Sequence, residues 1–426
     1  MTQLSEWSKD QLTERLDELK EQYKNAVQQN LNLNMARGKP CPEQVELSMG
    51  MLDVLDSSSS MVSENGVDLR NYGQLDGIPE AKRFFANLLD VGEEEVIVGG
   101  NSSLTLMHDA VTRALFDGVK GSEKPWADYD KIKFLAPSPG YDRHFAICER
   151  YNIEMIIIDM KEDGPDMDQV EELVKQDETI KGIWCVPKYS NPNGTTYSDE
   201  VVDRLASMET KATDFRIFWD DAYTIHHLGT EPVSLKNILK SAKAAGNEDR
   251  PYIFASTSKV TFPGAGIATL AASEGNVDDV RSKMAAQTIG YDKINQMRHV
   301  RFFTEVTSLE EHMKKHARII KPKFDLVYET FREQLGDKEI ATWSEPEGGY
   351  FISLDTAKGT AKKIVQMAKD AGVTLTGAGA TFPYGKDPND QNIRIAPTYP
   401  SMEELATALQ VLCICIELVT IEKKML

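Results

Sequence analysis

The stretch PYIFASTSKVTFPG, residues 251–264, decides the fold: a short apolar strand is followed by small hydroxyl residues and then by a glycine-rich turn. Lys259 lies just beyond the predicted end of that strand. Ligands of open α/β sheets bind beyond the carboxyl ends of the strands. A solvated surface lysine fits this place poorly and a reactive amine fits it well, so Lys259 is the first candidate for a catalytic residue.

Two motifs upstream of Lys259 give it a chemical context: Asn-Pro-Asn-Gly at 191–194 and Asp-Asp-Ala-Tyr at 220–223. Each follows an apolar stretch that we predict to be a strand. A carboxylate, an amide, a phenol and an amine at neighbouring strand ends are groups that can hold and use pyridoxal 5'-phosphate. Either Asp220 or Asp221 can keep the ring nitrogen protonated, and the spacing to Tyr223 favours Asp220.

The predicted chemistry requires a neutral amine at Lys259, which would hold the cofactor as an imine and then act as the base at the substrate Cα. Burial beside a cationic ring lowers the pKa of a lysine enough for this role. Tyr223 and the amide of Asn191 can donate to the phenolic oxygen of the ring. We therefore predict Lys259, Asp220 and Tyr223 as catalytic residues.

Further cofactor and substrate contacts follow from the same placement at strand ends. The loop Gly-Gly-Asn-Ser-Ser at 99–103 lies between a strand and a helix, where backbone N–H groups bind phosphate. Arg394, on an apolar strand, can grip an α-carboxylate through two parallel hydrogen bonds, and Tyr141 can stack on the cofactor ring. The predicted phosphate contacts are Asn101, Ser102, Ser103, Ser256 and Ser258.

Apolar strands alternate with helical patterns through the middle of the chain, which predicts an α/β fold with a mostly parallel seven-stranded sheet between helices. The strand candidates are 95–98, 133–136, 155–158, 182–186, 216–219, 252–255 and 267–272. From about Val277 to Leu335 the pattern predicts one long helical region. The rest predicts a smaller α+β domain built from both chain ends.

At 426 residues the chain is long for one core, so two domains are expected. We predict an N-terminal arm and part of the small domain at 1–55, a large cofactor-binding domain at 56–300, and the C-terminal part of the small domain at 301–426. Within the arm, Met1–Asn34 is predicted to contain a polar amphipathic helix that places Leu12, Leu16, Leu19 and Tyr23 on one side.

Composition narrows the class of partner. The formal net charge of −19 argues against nucleic acid or an anionic membrane, although a small anionic substrate can still bind a locally basic site. We expect no membrane span, because no run approaches about 18–20 apolar residues. The N-terminus has no apolar signal core, and the five scattered cysteines indicate reduced thiols in a cytoplasmic protein.

With these motifs in order, the chain resembles a fold-type I, class I pyridoxal-phosphate aminotransferase from Ala36 to Arg394. More narrowly, it is similar to the divergent bacterial aspartate aminotransferase subgroup that shares sequence character with the enzyme-like half of MocR regulators. The resemblance implies that Lys259 is the Schiff-base lysine and that Asp220 is the pyridinium partner. It also matches Tyr223 to the phenolate partner, Tyr141 to the aromatic residue that stacks on the ring, and Asn191 to the asparagine of the family motif. The phosphate contacts are the loop 101–103 and, from the neighbouring subunit, Tyr72. The α-carboxylate contacts are Arg394 and the Gly38 backbone beside it.

The same resemblance implies an activity: transfer of an amino group from an L-amino acid, aspartate above all, to a 2-oxo acid, 2-oxoglutarate above all, by a ping-pong mechanism. It also implies a homodimer in which Tyr72 reaches the neighbouring site. The candidates for binding a distal carboxylate are Arg37, Lys39, Arg143, Lys188 and Lys293. The alternatives are an aminotransferase for aromatic or aliphatic amino acids, a pyridoxal-phosphate lyase on the same fold, and a regulator of the MocR kind, for which we expect no helix-turn-helix segment here.

One departure from the family pattern concerns the phosphate. The family usually carries an arginine after Pro-Gly, a few residues past the lysine, whereas this chain has Pro-Gly-Ala-Gly at 263–266. Arg298 and Lys293 are the candidate replacements, unless hydroxyl groups and a helix dipole suffice. His226 and His227 are expected to line or support the site. We expect no metal, and the pair His312 and His316 is predicted on a solvated helix face because two lysines lie between them.

Overall fold

The structure is a computed structural model and describes residues 6–426. The strands are β1 (Leu33–Asn34), β2 (Val96–Val98), β3 (Lys133–Ser138), β4 (Glu154–Lys161), β5 (Gly164–Pro165), β6 (Ile180–Cys185), β7 (Arg216–Asp220), β8 (Pro251–Ser256), β9 (Ala268–Ala271), β10 (Ala341–Trp343), β11 (Ile352–Thr356), β12 (Val373–Thr374) and β13 (Asn392–Ile395). The helices are α1 (Lys9–Gln28), α2 (Pro42–Glu46), α3 (Pro79–Leu89), α4 (Ser103–Asp117), α5 (Asp142–Arg150), α6 (Met167–Gln176), α7 (Asp199–Ser207), α8 (Ile238–Ala244), α9 (Glu274–Met284), α10 (Lys293–Arg301), α11 (Leu309–Gln334), α12 (Ala361–Asp370) and α13 (Met402–Met425).

The large sheet confirms the predicted α/β fold. Its order is β2-β9-β8-β7-β6-β3-β4-β5, and all seven predicted strands are present, with the two-residue β5 added at one edge. Strands β3, β4, β6, β7 and β8 pair in parallel, whereas β9 is antiparallel to both of its neighbours. The inner strands β6 and β7 are buried along their whole length, as expected for a sheet covered on both faces.

The predicted active-site segments meet at one edge of this sheet because the strands that carry them run the same way. Asp220 is the last residue of β7, and Lys259 follows the end of β8 at Ser256. Tyr141 follows β3, and Asn191 follows β6. Helix packing on both faces fixes this edge, so the side chains beyond the strand ends face a common space.

A second, smaller layer combines both ends of the chain. Its antiparallel sheet has the order β10-β11-β13, and β1 pairs in parallel with β12. Helix α1 packs on α13 through Leu12, Leu16 and Leu19, which the sequence places on one helix side, and all three are buried. This shared core agrees with a small domain drawn from both ends, while the limits 1–55, 56–300 and 301–426 remain a prediction.

The prediction of one long helical region from Val277 to Leu335 is wrong, because the region is divided into α9, α10 and α11 with a π-helical turn at Phe302–Val306. The first break contains Gly290, where a Cβ would lie 2.5 Å from the carbonyl oxygen of Gly73. The chain leaves the helix at this point to lie against the loop that carries Tyr72. Close backbone approach, which only glycine permits, therefore interrupts the helical pattern.

We expected no segment that is long and apolar enough to span a membrane. Judged by length and composition alone, this expectation is wrong. Within residues 6–426 one helix, α13, passes that test, with a mean hydropathy of 1.9 over its most apolar window. However, 72% of that window is buried inside the protein. The helix packs on α1, α11 and α12, so its apolar character matches its place in the core of the smaller layer.

Candidate active site

A cavity of about 560 Å³ lies between the carboxyl edge of the large sheet and the smaller layer. Most of the predicted site residues line it. These are Gly38, Ser102, Ser103, Tyr141, Asn191, Asp220, Tyr223, Ser256, Ser258, Lys259 and Arg394. Two are not among its lining residues: Asn101 contributes its carbonyl oxygen to a hydrogen bond from Ser258 Oγ at 3.2 Å, and Tyr72 is 80% exposed on the outer surface.

The Lys259 amine lies 5.0 Å from the centre of the Tyr223 ring and 5.9 Å from that of Tyr350. Burial lowers its pKa, and the positive charge of Arg394 lowers it further, whereas Asp220 opposes the shift. A lowered pKa increases the neutral fraction of an amine, and the neutral form is the nucleophile and base. The geometry therefore suits the reactive role predicted for Lys259.

Asp220 faces the cavity with one oxygen committed and the other free to bind. His144 Nε2 lies 2.9 Å from Asp220 Oδ2, and the imidazole stacks on Trp184 with ring centres 4.3 Å apart. Asp220 Oδ1 is buried and has no hydrogen-bond partner within the described part of the chain. Since buried carboxylate oxygens are normally paired, this oxygen is suited to a protonated ring nitrogen placed in the cavity.

The opposite end of the cavity offers hydroxyl groups and a helix N-terminus. Ser102 caps α4 by accepting a hydrogen bond from the Leu104 backbone at 3.2 Å, and Ser256 Oγ donates to Ser258 Oγ at 3.1 Å. The first turn of a helix attracts phosphate. The residue types and their arrangement therefore fit pyridoxal 5'-phosphate, with its phosphate at α4 and its ring nitrogen at Asp220.

The space around Gly266, where the family usually carries an arginine after Pro-Gly, is tight. A Cβ on Gly266 would lie 3.0 Å from Thr257 Oγ1 and 3.4 Å from the carbonyl oxygen of Asn101. The two candidate replacements, Arg298 and Lys293, are not among the lining residues of the cavity, and Lys293 Nζ instead donates to the Gly73 carbonyl at 3.1 Å. Within the described residues of one chain, the groups that this end of the cavity offers to a phosphate are hydroxyls and the N-terminus of α4.

Arg394 is held at the substrate side of the cavity by three oxygen atoms. Its Nη1 atom donates to Asp142 Oδ1 at 3.0 Å and to Asn191 Oδ1 at 3.2 Å, and its Nη2 atom donates to Thr376 Oγ1 at 3.3 Å. The guanidinium carbon lies 4.7 Å from the centre of the Phe351 ring. Gly38 lies against the same ring, and a Cβ there would be 2.4 Å from Phe351 Cζ, so a larger residue would displace the ring that packs on the arginine.

An Arg394→Lys substitution should lower kcat/KM for amino-acid substrates by roughly 10- to 100-fold, because one of two charge-assisted hydrogen bonds to the α-carboxylate is lost. Steady-state kinetics with the wild-type enzyme as reference measures this. Arg204→Lys, in a surface ion pair with Asp168 and Glu171, is the matched control and should leave kcat/KM unchanged. Equal kinetics for Arg394→Lys and the wild type would contradict the assignment.

The candidates for a distal carboxylate divide into two groups. Arg37, Lys39 and Arg143 line the cavity, whereas Lys188 and Lys293 do not. The Lys39 ammonium lies 3.7 Å from the centre of the Tyr399 ring. Lys188 Nζ donates to the Thr224 carbonyl at 2.9 Å on the far side of β7. The structure thus removes Lys188 and Lys293 from the candidates within one subunit.

Asp221 points away from Asp220, as side chains of successive residues do at a strand end. It lines a separate cavity of about 290 Å³ together with Lys188 and Trp219. Burial raises the pKa of Asp221 to about 6, with Lys188 and Thr224 lowering it and Asp220 raising it. The choice between the two aspartates therefore falls on Asp220, which alone of the pair faces the candidate cofactor site.

The raised pKa of Asp221 predicts a pH-dependent loss of stability. The folded state keeps the Asp221 proton up to about pH 6, whereas an unfolded aspartate loses it near 3.8. The stabilisation is therefore complete below pH 3.8 and is lost as pH rises to about 6, by up to about 3 kcal/mol. Asp221→Asn, which stays neutral, should gain stability relative to the wild type between pH 4.5 and 7.5 in urea unfolding. Parallel stability curves would contradict this.

The structure also locates the histidines. His226 is buried, and its Nε2 atom lies 3.4 Å from the Lys259 carbonyl oxygen, so it supports the site from behind. His227 Nδ1 lies 2.6 Å from the Tyr189 hydroxyl, outside the cavity lining. The prediction of a solvated face for His312 and His316 is wrong: their exposed fractions are 1% and 2%. No cluster of metal-ligating residues occurs among residues 6–426.

Sequence reasoning missed three residues of the site. His144 binds Asp220, and Asp142 and Thr376 bind Arg394. The burial of His144 was detectable in principle, because Phe145 and Cys148 mark the buried face of α5 and His144 lies beside them, but its contact with Asp220 was not. No sequence signal indicates Asp142, whose contact spans more than half the chain.

Comparison with known proteins gives the same assignment. The family model described as aspartate amino-transferase matches residues 7–426. The chain is 48% identical over 394 residues to a protein named as an aminotransferase in Mycolicibacterium smegmatis, covering 92% of each chain. It is 41% identical over 406 residues to an aspartate aminotransferase of Corynebacterium glutamicum, covering 95% of this chain and 94% of the relative.

A crystal structure of an aspartate transaminase from Corynebacterium glutamicum superposes with a TM-score of 0.96 at 40% identity, and the match covers 99% of both chains. A weaker similarity, 24% over 231 residues, links this chain to the HTH-type transcriptional regulator YisV of Bacillus subtilis and covers 44% of that regulator. Both similarities were expected from the motifs around Lys259. The chain is an aminotransferase and belongs to the aspartate aminotransferase family.

Proposed function

We propose that this aminotransferase depends on pyridoxal 5'-phosphate and moves the amino group of aspartate to 2-oxoglutarate. The observation that carries the proposal is the charge of the cavity: Arg394 lies beside Asn191, while Arg37 and Arg143 line the same space. Neither Arg37 nor Arg143 forms an ion pair with any residue in 6–426. A dicarboxylate matches such a cavity at both ends.

Arg143 is the stronger of the two candidates for the distal carboxylate. It lies in the first turn of α5, where the helix dipole disfavours a positive charge. An incoming carboxylate would therefore be stabilised both by the guanidinium and by the helix N-terminus. Arg37 belongs to the segment Ala36–Lys39, on the other side of Arg394 from Arg143. The Thr376 hydroxyl connects the two, because it accepts from Arg394 Nη2 and donates to the Ala36 carbonyl at 2.6 Å.

The chain's own residues account for the steps of the proposed reaction. When bound, pyridoxal 5'-phosphate supplies a sink for the electron pair of the substrate Cα–H bond. Asp220 keeps the ring nitrogen protonated, and His144 holds Asp220 in place. Lys259 would take the proton from the substrate Cα, hold it as an ammonium group and deliver it to the carbon on the other side of the transferred nitrogen, while Arg394 and Asn191 would hold the α-carboxylate. Tyr141 would stack on the ring, and Tyr223 would donate to its phenolic oxygen.

The two halves of the reaction use the same groups in opposite order. In the first half Lys259 would move the proton away from Cα, and water would then release the carbon skeleton of the amino acid as a 2-oxo acid while the amino group stays in the site. In the second half a different 2-oxo acid enters, and Lys259 moves the proton in the reverse direction. This ping-pong order follows from one cavity serving both substrates, since Arg394 binds either α-carboxylate in the same place.

We further propose a cytoplasmic homodimer. All five cysteines are buried and free, as in a reducing compartment. The loop of Tyr72 and Gly73 meets Gly290, and large apolar side chains are exposed within residues 49–72 and 289–306. They are Met49, Leu52, Val62, Tyr72, Ile289 and Val306. A mass of twice the 47.6 kDa chain in light scattering supports the dimer, and a single chain mass contradicts it.

A substrate panel tests the proposed function. The purified, cofactor-loaded enzyme is mixed with aspartate, alanine, tyrosine or leucine, and the absorbance change of the single half-reaction is followed. For each amino acid, the rate constant of the half-reaction is divided by the dissociation constant. This ratio should be highest for aspartate, and 2-oxoglutarate should reverse the absorbance change. A preference for tyrosine or leucine would assign the enzyme to aromatic or aliphatic donors. Product formed from one amino acid without any 2-oxo acid would indicate a lyase.

Arg143→Gln separates the preference for aspartate from general activity. The variant should lose efficiency with aspartate but keep its efficiency with alanine, because alanine has no distal carboxylate. Arg37→Gln is the matched comparison at the other side of the cavity. If neither variant changes the ratio of aspartate to alanine, the distal carboxylate binds elsewhere.

A further inference from the structure

A buried polar network lies behind Lys259, on the side away from the cavity. It contains His312 and His316 of α11, Gln44 of α2 and Tyr350. All four side chains are buried to at least 98%. The intervening Lys314 points to solvent, where it pairs with Glu310 and Glu311. These charged residues make the segment look solvent-exposed in the sequence, although its other face is buried.

Gln44 determines where the protons of this network lie. Its Oε1 atom accepts the backbone N–H of Cys41 at 3.2 Å, so its Nε2 atom faces the network. This amide donates one hydrogen to the Tyr350 hydroxyl at 2.9 Å and the other to His316 Nδ1 at 3.0 Å. Because His316 Nδ1 accepts, the proton of the neutral ring is on Nε2.

The Nε2–H group of His312 points at the backbone oxygen of Val260, and the same carbonyl lies close enough to His316 to oppose the lowering of its pKa by burial. His312 Nε2 lies 2.7 Å from the Val260 carbonyl oxygen and 3.0 Å from His316 Nε2. Burial lowers the pKa of His316 to about 3 and lowers that of His312, while the Val260 carbonyl opposes both shifts. Two neutral imidazoles therefore hold the carbonyl next to Lys259.

The carbonyl of Lys259 itself receives donors from the same network. Tyr350 Oη lies 3.4 Å from it, and since this oxygen already accepts from Gln44, its own hydrogen is free to point at Lys259. His226 Nε2 also lies 3.4 Å from the Lys259 oxygen. Two successive backbone carbonyls, at 259 and 260, thus bind side chains from four residues.

This arrangement is needed because Lys259 lies outside the sheet. The ladder of β8 ends at Ser256, so the peptide groups at 259 and 260 are not held by neighbouring strands. The Lys259 side chain has four rotatable bonds, and the direction of its Cα–Cβ bond is set by these peptides. Misplacement of a reacting group by about 1 Å can cost roughly 10²-fold in rate.

We infer that Gln44, His312, His316 and Tyr350 form a positioning network that fixes the backbone at Lys259 and so aims its amine at the substrate Cα. The inference rests on the proposed catalytic role of Lys259. The network also joins parts of the chain that are far apart, because the first turns of α11 pack near Val260, whereas its later residues belong to the core of the smaller layer. The lysine is thus held from the smaller layer as well as from its own strand.

Gln44→Met tests the inference, because methionine has a similar shape and donates no hydrogen bond. In the cofactor-loaded enzyme we expect the rate constant of the half-reaction with aspartate to fall roughly 10- to 100-fold. The isotope effect with Cα-deuterated aspartate should increase. The dissociation constant of succinate, an unreactive dicarboxylate, should stay within about twofold, because the side-chain partners of Arg394 are Asp142, Asn191 and Thr376 and include none of the four network residues. The pH at which the absorbance band of the Lys259-bound cofactor changes should also move.

His316→Gln and Val327→Ala are the matched variants. The glutamine amide can replace the Nε2–H donor, so His316→Gln should retain most of the rate, whereas His316→Leu should resemble Gln44→Met. Val327 is buried on the same helix, in the core of the smaller layer, and Val327→Ala should lower stability without moving the isotope effect or the band. The inference is overturned if Gln44→Met, like Val327→Ala, changes neither the isotope effect nor the absorbance band. It is also overturned if Gln44→Met weakens succinate binding and leaves the rate constant of the half-reaction unchanged. The absorbance band of the lysine-bound cofactor reports on the network even if aspartate is not the substrate. A wrong substrate assignment and a wrong network assignment would therefore give different results.

Discussion

Lys259→Ala should reduce the rate of transamination by at least about 10⁴-fold, because a general base alone contributes about 10²- to 10⁴-fold and the covalent link to the cofactor is lost as well. The purified variant should also lack the absorbance band of the lysine-bound cofactor near ~420 nm. Both readouts follow from one amine, whose pKa is lowered by burial in the cavity. Absorbance spectra and the aspartate half-reaction measure them.

Lys188→Ala is the control for this experiment. Lys188 is also buried and its pKa is also lowered by burial, but its amine donates to the Thr224 carbonyl outside the active-site cavity. The variant should keep the absorbance band and most of the activity. An intact band in Lys259→Ala, or its loss in Lys188→Ala, would show that the wrong lysine has been assigned.

Asp220→Asn should lower the rate constant of the half-reaction by about 10²- to 10³-fold, the usual loss when one preorganised electrostatic group is removed from an active site. Asparagine retains the contact with His144 but cannot keep the ring nitrogen protonated. Substrate binding should change little, because Arg394 and Asn191 are untouched. Stopped-flow absorbance with aspartate separates the rate constant from the dissociation constant.

The neighbouring aspartate provides a control of the same chemistry. Asp221→Asn changes the same functional group one residue away, in a separate cavity, and should leave the half-reaction within a few-fold of the wild type. Both substitutions replace a carboxylate with an amide. They differ only in the cavity that the side chain lines, which is the active-site cavity for Asp220 and the separate cavity for Asp221. Equal losses in both variants would mean that the local backbone, and not the ring nitrogen, accounts for the effect.

The sequence predicted the large sheet and the members of the site for a common physical reason. Parallel strands covered on both faces must be continuously apolar, so they stand out along the chain, and Asp220 and Lys259 come directly after two of them. Once parallel strands are recognised, their carboxyl ends must meet at one edge. This is why the strand-end residues could be brought together without coordinates.

What could not be predicted depends on side-chain contacts between distant elements. The His144 contact with Asp220 depends on the position of α5 over the sheet, which no local pattern encodes. His312 and His316 were wrongly placed on a solvated face, since Lys314 and Lys315 gave that helix segment a polar composition. The break at Gly290 arises from a close approach to Gly73, a tertiary contact within an otherwise helical pattern.

If Arg394 binds the α-carboxylate as proposed, its ion pair with Asp142 would make substrate entry an exchange of carboxylates. An arriving α-carboxylate would take the place of the Asp142 oxygen, which lies 3.0 Å from Nη1. The measured affinity is then the difference between two similar attractions and depends on geometry more than on charge. Simple anions such as chloride must displace the same aspartate, so salt should inhibit this enzyme less than an open arginine site would suggest.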